Sequence, residues 1–291
     1  MQARCPVFAI AQRRWRLARR EDSSIEVYTH RRGRLSGRRL AKARLLAPFS
    51  ARHANRASIL RLPKELREIA LHAIYMPKAR LLYVKNPKAA STTILRFLYA
   101  AEYRRAHSGI DIHEDPALPH GEPWLLTAVG ALSSRDARKF SFVRDPVARC
   151  VSGFKDFFLL QRNSESRRHL PYITRFGFVP GGDPLTNFDA YLDYLEAMLA
   201  VEAWRLDGHF SRQFDNLRPD LIAYDFIGKV ERTENDLDRL AAQLDLVQIE
   251  TDAPDDAAIN RTGARFTPNA NQITRIRELY AIDFEAFYPD C

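Results

Sequence analysis

The stretch Leu81-Leu82-Tyr83-Val84-Lys85-Asn86-Pro87-Lys88-Ala89-Ala90-Ser91-Thr92-Thr93 decides the fold. Its first four residues are apolar and rich in β-formers, the composition of a strand buried on both faces of a parallel sheet. Lys85-Asn86-Pro87 ends the run. Ser91, a good N-cap type, then opens a helical spacing of Ile94, Leu95, Phe97 and Leu98. Small residues in the intervening loop let the backbone pass close to a ligand. Thr92 and Thr93 bring hydroxyls to a helix start whose free N–H groups and dipole favour an anion, and Lys88 adds a point charge. GxxxxGK[ST] is absent, so this is not a Walker loop. Taken alone, the stretch reads equally as a helix cap beside a surface lysine.

A second unit of the same kind follows. Phe140–Val143 reads as a strand, Arg144-Asp145-Pro146 as a turn, and Val147–Leu160 as a helix with Pro146 suited to its first turn. Arg144 therefore falls at the carboxyl end of a strand, where open α/β sheets bind ligands. Ser152 lies two helical turns on. Together they suit one phosphate, Arg by its planar fork and Ser by its hydroxyl. Arg149 either joins them or pairs with Asp145. Two anion sites on neighbouring strand ends suit a nucleoside with phosphates at both ends.

Around these units the periodicity predicts helices over Leu125–Arg138, Phe188–Leu199, Glu234–Leu244 and Ile273–Phe287, and a strand over Phe226–Val230. Pro63–Tyr75 reads as a short helix. The alternation implies an α/β fold, a single domain with a P-loop-like, mostly parallel sheet covered by helices on both faces. Residues 161–187 lack periodicity and read as a functional loop.

Charge divides the 291 residues sharply. Residues 1–77 carry a net +13 and residues 78–291 a net −4, so the overall +9 belongs to the first segment. We expect a basic N-terminal segment over 1–77, partly disordered or loosely helical, and a catalytic body over 78–291. The basic arm reads as a solubilising leader, with nucleic acid or anionic lipid as alternative partners. Cys5, Cys150 and Cys291 have neither disulfide nor zinc-ligand spacing. No run of about 20 apolar residues is present to form a transmembrane segment. The expected location is cytoplasmic, with peripheral membrane attachment as the alternative.

Lys88–Thr93 resembles the 5′-phosphosulfate loop of sulfotransferases that use PAPS (3′-phosphoadenosine-5′-phosphosulfate), in the Pro-Lys-x-x-Ser-Thr form. Arg144 to Ser152 resembles their 3′-phosphate motif, Arg-Asp-Pro-x-x-Arg-x-x-Ser. Asp207-Gly208-His209-Phe210-x-x-Gln213 followed by Tyr224–Glu231, and Tyr280–Phe287, are similar to stretches of the carbohydrate branch, the chondroitin/HNK-1 type enzymes of sulfotransferase family 2. The similarity covers about residues 79–290. It implies transfer of a sulfuryl group from PAPS to a carbohydrate hydroxyl by in-line displacement, with PAP as product and no metal. By the same resemblance Lys88 contacts the bridging oxygen and sulfuryl group, while Ala89, Ala90, Ser91, Thr92 and Thr93 wrap the 5′-phosphate. Arg144 and Ser152 hold the 3′-phosphate, joined by Arg265 or Arg261.

A hydroxyl acceptor needs a base, and histidine fits near neutral pH. His120, 24 residues before Arg144, and His209 are the candidates. His107, His113 and His169 are expected at the surface, and Glu231 is expected to pair with Lys229 or Arg232. Lys155, Arg162, Arg167, Arg168 and Arg175 form either an acceptor cleft for an anionic glycan or a solvated basic loop. The competing readings are a P-loop-like nucleotide kinase or phosphotransferase, and a non-enzymatic nucleic-acid-binding protein.

Overall fold

Four short strands at the centre of a computed structural model, which describes residues 26–29, 37–108, 111–243 and 266–290, make one sheet in the order β1-β2-β3-β4. β1 is Ala73–Met76, β2 Leu81–Val84, β3 Arg138–Val143 and β4 Phe226–Lys229. β2, β3 and β4 run parallel, with Tyr83 opposite Phe140 and Phe140 opposite Phe226. β1 is antiparallel to β2 at the edge.

Every residue of β2 is buried, because its alternate side chains enter two different cores. Leu81 and Tyr83 pack with Phe140, Phe142 and the helix Ser91–Tyr103. Leu82 and Val84 face the helices Lys64–His72 and Leu125–Ser133. The mostly parallel, helix-covered sheet is thus as expected. A third core lies off the sheet, where Pro146–Phe154, Ser166–Ile173, Pro184–Leu199 and Ala270–Leu279 bury a run of aromatic rings.

Gly228 shows how tightly the strands are seated. A Cβ there would meet the Phe142 ring at 2.4 Å. Only a residue without a side chain lets β4 lie flat against that ring.

Several boundaries differ from expectation for local reasons. The expected helix Pro63–Tyr75 stops at His72, and Ala73 turns extended, so Ile74 and Tyr75, both β-formers, pair with β2 instead, together with Met76. The sheet therefore starts ahead of the expected boundary at residue 78. Leu125–Ser133 ends five residues before Arg138, which already belongs to β3. Ile273–Phe287 is two helices, Ala270–Leu279 and Ala281–Phe287, broken at Tyr280. Within 161–187 the chain forms the helix Ser166–Ile173 despite an internal Pro171. The helix after β3 opens into a wider π-turn at Lys155–Leu159, a local insertion common at functional sites. No helix among the described residues is long and apolar enough to cross a membrane.

Candidate active site

At the carboxyl ends of β2 and β3 a cavity of about 1000 Å³ opens. Lys88, Ala90, Ser91, Thr92, Arg144 and Ser152, all expected site residues, line it. Ala89 lies wholly buried beneath the loop, and Thr93 is half-buried without lining the cavity. Arg261 and Arg265 lie outside the described residues.

The loop after β2 is built to leave its helix start open. Lys88 (φ 67°) and Ala90 (φ 54°) adopt left-handed backbone, a strained choice for residues with a Cβ. The cap position of Ser91–Tyr103 is Ala90, not Ser91 as expected, and no side chain caps the first turn. Its N–H groups thus face the ligand side. The helix after β3 is the reverse case. Asp145 caps it, accepting from the Ala148 N–H at 2.8 Å, and Pro146 brings no N–H at all. An anion there must be held by side chains, and Arg144, Ser152 and Lys155 all reach the cavity from this unit.

Gln213 locks the two strand ends together. Its Oε1 accepts from Asn86 Nδ2 and from the Arg144 N–H, both at 2.9 Å, and its Nε2 donates to the Arg144 carbonyl at 2.8 Å. Asp283 accepts from the Gln213 and Phe214 N–H groups. Gln213, Asn86 and Asp283 are all fully buried. Burial pushes the Asp283 carboxyl up to about 6, against the opposing charge of Arg149.

Arg149 takes neither of the parts expected of it. Its guanidinium is buried and donates to three backbone carbonyls, those of Pro87, Gly208 and Ser211, at 3.1, 2.8 and 2.8 Å. It fastens the β2 loop to the loop that carries His209. Glu231 also differs: it accepts from the Asp145 N–H and from Tyr288 Oη, while Arg232 pairs with Asp236 and Lys229 lies over the Tyr288 ring.

The cavity is rich in cations. Lys85, Lys88, Arg144, Lys155 and Arg162 line it against the carboxylates of Asp111 and Asp156. Arg167, Arg168 and Arg175 do not. Burial lowers the pKa of Lys88, opposed by Asp156, whose Oδ2 is 2.7 Å from Nζ. Burial likewise lowers that of Arg144, opposed by Glu231 and Asp145.

The histidines divide in an unexpected way. His209 lines the cavity. Its Nδ1 is 2.6 Å from Asp207 Oδ1, and its backbone N–H donates to the same oxygen. Burial works against charge on Asp207, yet hydrogen bonds from His169 and His209 outweigh it and hold the carboxyl well below the usual range. His120 turns its Nδ1 to the Leu118 carbonyl and lines a separate pocket of about 60 Å³ behind Lys85 and His113. His113, expected at the surface, lines the main cavity. It sits between Lys85 Nζ (3.3 Å from Nδ1) and Thr92 Oγ1 (3.0 Å from Nε2). Burial and the Lys85 charge lower its pKa. His169 is fully buried, and the His107 side chain is buried against Asp115. Among the described residues no group of His, Cys, Asp and Glu is arranged to hold a metal ion.

Adjacent strand ends thus bring an uncapped helix start and the half-buried Arg144 to one cation-rich cavity. The family model described as "Sulfotransferase family" matches residues 71–289, and the chain belongs to that family. Similar proteins include carbohydrate sulfotransferase 14 of Mus musculus, 24% identical over 60% of this chain and 46% of that protein. Carbohydrate sulfotransferase 12 of Xenopus laevis is 31% identical over 37% of this chain and 28% of its own length. Carbohydrate sulfotransferase 11 of Danio rerio is 24% identical over 74% and 66%. The aligned part thus spans about half the length of the first of these relatives. No solved structure gives a significant match.

Proposed function

We propose that the chain transfers a sulfuryl group from PAPS to a hydroxyl of a carbohydrate. The observation that carries this reading is the pairing of an uncapped helix start at Ser91 with Arg144 and Ser152 on the next strand end, in one cavity. A 5′-phosphosulfate suits the first and a 3′-phosphate the second. The cavity's size matches a nucleotide-sized ligand together with part of an acceptor. The relatives' names carry the choice of carbohydrate as acceptor.

Lys88 and the helix dipole stabilise the charge that builds on the leaving phosphate oxygen. The acceptor oxygen forms its bond to sulfur as the bond from sulfur to that phosphate oxygen breaks, and the electron pair leaves with PAP. His209 takes the acceptor proton. With Nδ1 turned to the Asp207 carboxylate, Nε2 is the nitrogen left to act as base. His120, behind the cavity wall, is the less suited of the two candidates. Lys155 and Arg162 offer the acceptor a basic approach.

Calorimetric titration with PAP, ATP and RNA tests this. PAP should bind, and Arg144→Ala and Ser152→Ala should each weaken it. ATP binding as tightly as PAP and indifferent to both substitutions sinks the reading in favour of a phosphotransferase.

A further inference from the structure

Residues 26–29, inside the basic N-terminal segment, lie against the back of the His209 support. Val27 packs into the aromatic core. The Tyr28 ring meets His169 edge-on at 4.7 Å and Tyr172 at 6.0 Å, and Glu26 reaches Arg175 at 3.5 Å. The Tyr28 N–H donates to Tyr194 Oη at 3.4 Å. From there a chain of contacts runs to the cavity. Tyr194 Oη is 2.8 Å from His169 Nδ1, His169 Nε2 is 3.2 Å from Asp207 Oδ2, and Asp207 Oδ1 is 2.6 Å from His209 Nδ1.

Each contact constrains the next, since every link needs one donor and one acceptor. The Asp207 carboxylate only accepts, so His169 Nε2 and His209 Nδ1 both carry hydrogen. His169 Nδ1 then faces Tyr194 Oη, whose hydroxyl hydrogen it can accept. The Tyr28 N–H is itself a donor aimed at Tyr194 Oη, so the hydroxyl hydrogen cannot point at it and turns to His169. Donors thus converge on Asp207 from both sides, His169 on Oδ2 and His209 on Oδ1, which leaves a lone pair on His209 Nε2, the form a base requires.

We infer that the segment Glu26–Thr29 is part of the catalytic unit: through the Tyr28 N–H, Tyr194 and His169 it holds in place the Asp207 carboxylate that orients the His209 ring. Tyr28, Tyr194 and His169 are positioning residues. The inference rests on the reading of His209 as the base, but its first readout does not depend on turnover.

The test follows the imidazole ¹⁵N signals of His209 in the full chain, together with kcat and PAP affinity. Wild type should show the Nδ1–H form of His209. Tyr28→Pro, which deletes the N–H, and Tyr194→Phe, which deletes the hydroxyl, should each let the Asp207–His209 pair move, shifting and broadening the His209 signals. Both should lower kcat about 10-fold or more while PAP binds as before, since small misplacements of a catalytic group cost up to about 100-fold. The conservative Tyr28→Phe, which keeps N–H and ring edge, should restore both readouts. Unchanged His209 signals in both Tyr28→Pro and Tyr194→Phe overturn the inference, as does Tyr28→Phe failing as badly as Tyr28→Pro. If wild type binds PAP yet sulfates no glycan, the acceptor reading fails, and the ¹⁵N signals still decide this one.

Discussion

Lys88 Nζ and Asp156 Oδ2 stand 2.7 Å apart on the wall of the cavity. The lysine proposed to meet the donor's leaving oxygen is therefore shared with a carboxylate on the π-turn, which also takes a 3.4 Å contact from Asn163 Nδ2. Asp156 competes with any anion for that charge. Asp156→Asn should tighten PAP binding a few-fold, on the order of 1 kcal/mol for a partly solvated pair. Weaker binding in a calorimetric titration would show that Asp156 holds Lys88 in place rather than competing for it.

Gln213 touches no ligand in this reading, yet it joins Asn86 to both backbone groups of Arg144. Gln213→Ala leaves buried donors and acceptors without partners, at about 1–3 kcal/mol each. Both anion loops should loosen at once, so PAP affinity should fall as far as in Arg144→Ala although every contact residue remains. Retained affinity in a correctly folded Gln213→Ala protein would confine its role to stability.

A base is worth typically 10²–10⁴-fold. His209→Ala should lose that much of kcat with PAP affinity intact, and Asp207→Asn should follow because the carboxylate orients the ring. His120→Ala, whose ring faces the smaller pocket, should keep kcat. Measured turnover with the roles of His209 and His120 exchanged would reassign the base.

Asp283 makes stability depend on pH. Its carboxyl titrates near 6 in the fold and near ~3.9 when unfolded, so the folded protein binds the extra proton between those values. Stability from this group is full below about pH 4 and lost as pH rises through 6, on the order of 2–3 kcal/mol at about 1.4 kcal/mol per unit. Asp215, also raised by burial, adds in the same sense. Asp207, held low, contributes stability that is lost only as pH falls below about 4. Urea melts from pH 4 to 6.5 should slope downward, and Asp283→Asn should flatten that slope. An unaltered slope would remove Asp283 as its source.

Gly228→Ala places a methyl group against the Phe142 ring, where a Cβ falls at 2.4 Å. We expect a loss of about 1–3 kcal/mol, the cost of overpacking a filled core. A melting temperature equal to wild type would mean that β4 shifts freely against β3.

The placement of the two loops was legible because it is local: Pro87–Thr93 and Arg144–Ser152 each follow a short apolar strand, and β2 is buried on both faces as its composition implies. What stayed hidden depends on distant partners. His113 and His169 carry no mark in their neighbouring residues. One is half-buried between Lys85 and Thr92, the other buried with Tyr194 and Asp207. Arg149 read equally as a ligand-binding residue or a partner of Asp145, because its three carbonyl partners lie about 60 positions away. β1 was read as the end of a helix, since Ala73 continues the apolar stripe of Lys64–His72 and only pairing with β2 pulls it extended.

The buried Arg149 guanidinium has a consequence for how the protein comes into being. It draws Pro87, Gly208 and Ser211 to one point, and Gln213 with Asp283 adds the far end of the chain. A nascent polypeptide emerging residue by residue would expose both anion loops long before their fastenings exist. The donor pocket is therefore a late product of synthesis. A fragment stopping short of residue 206 would contain both loop sequences and neither in working shape.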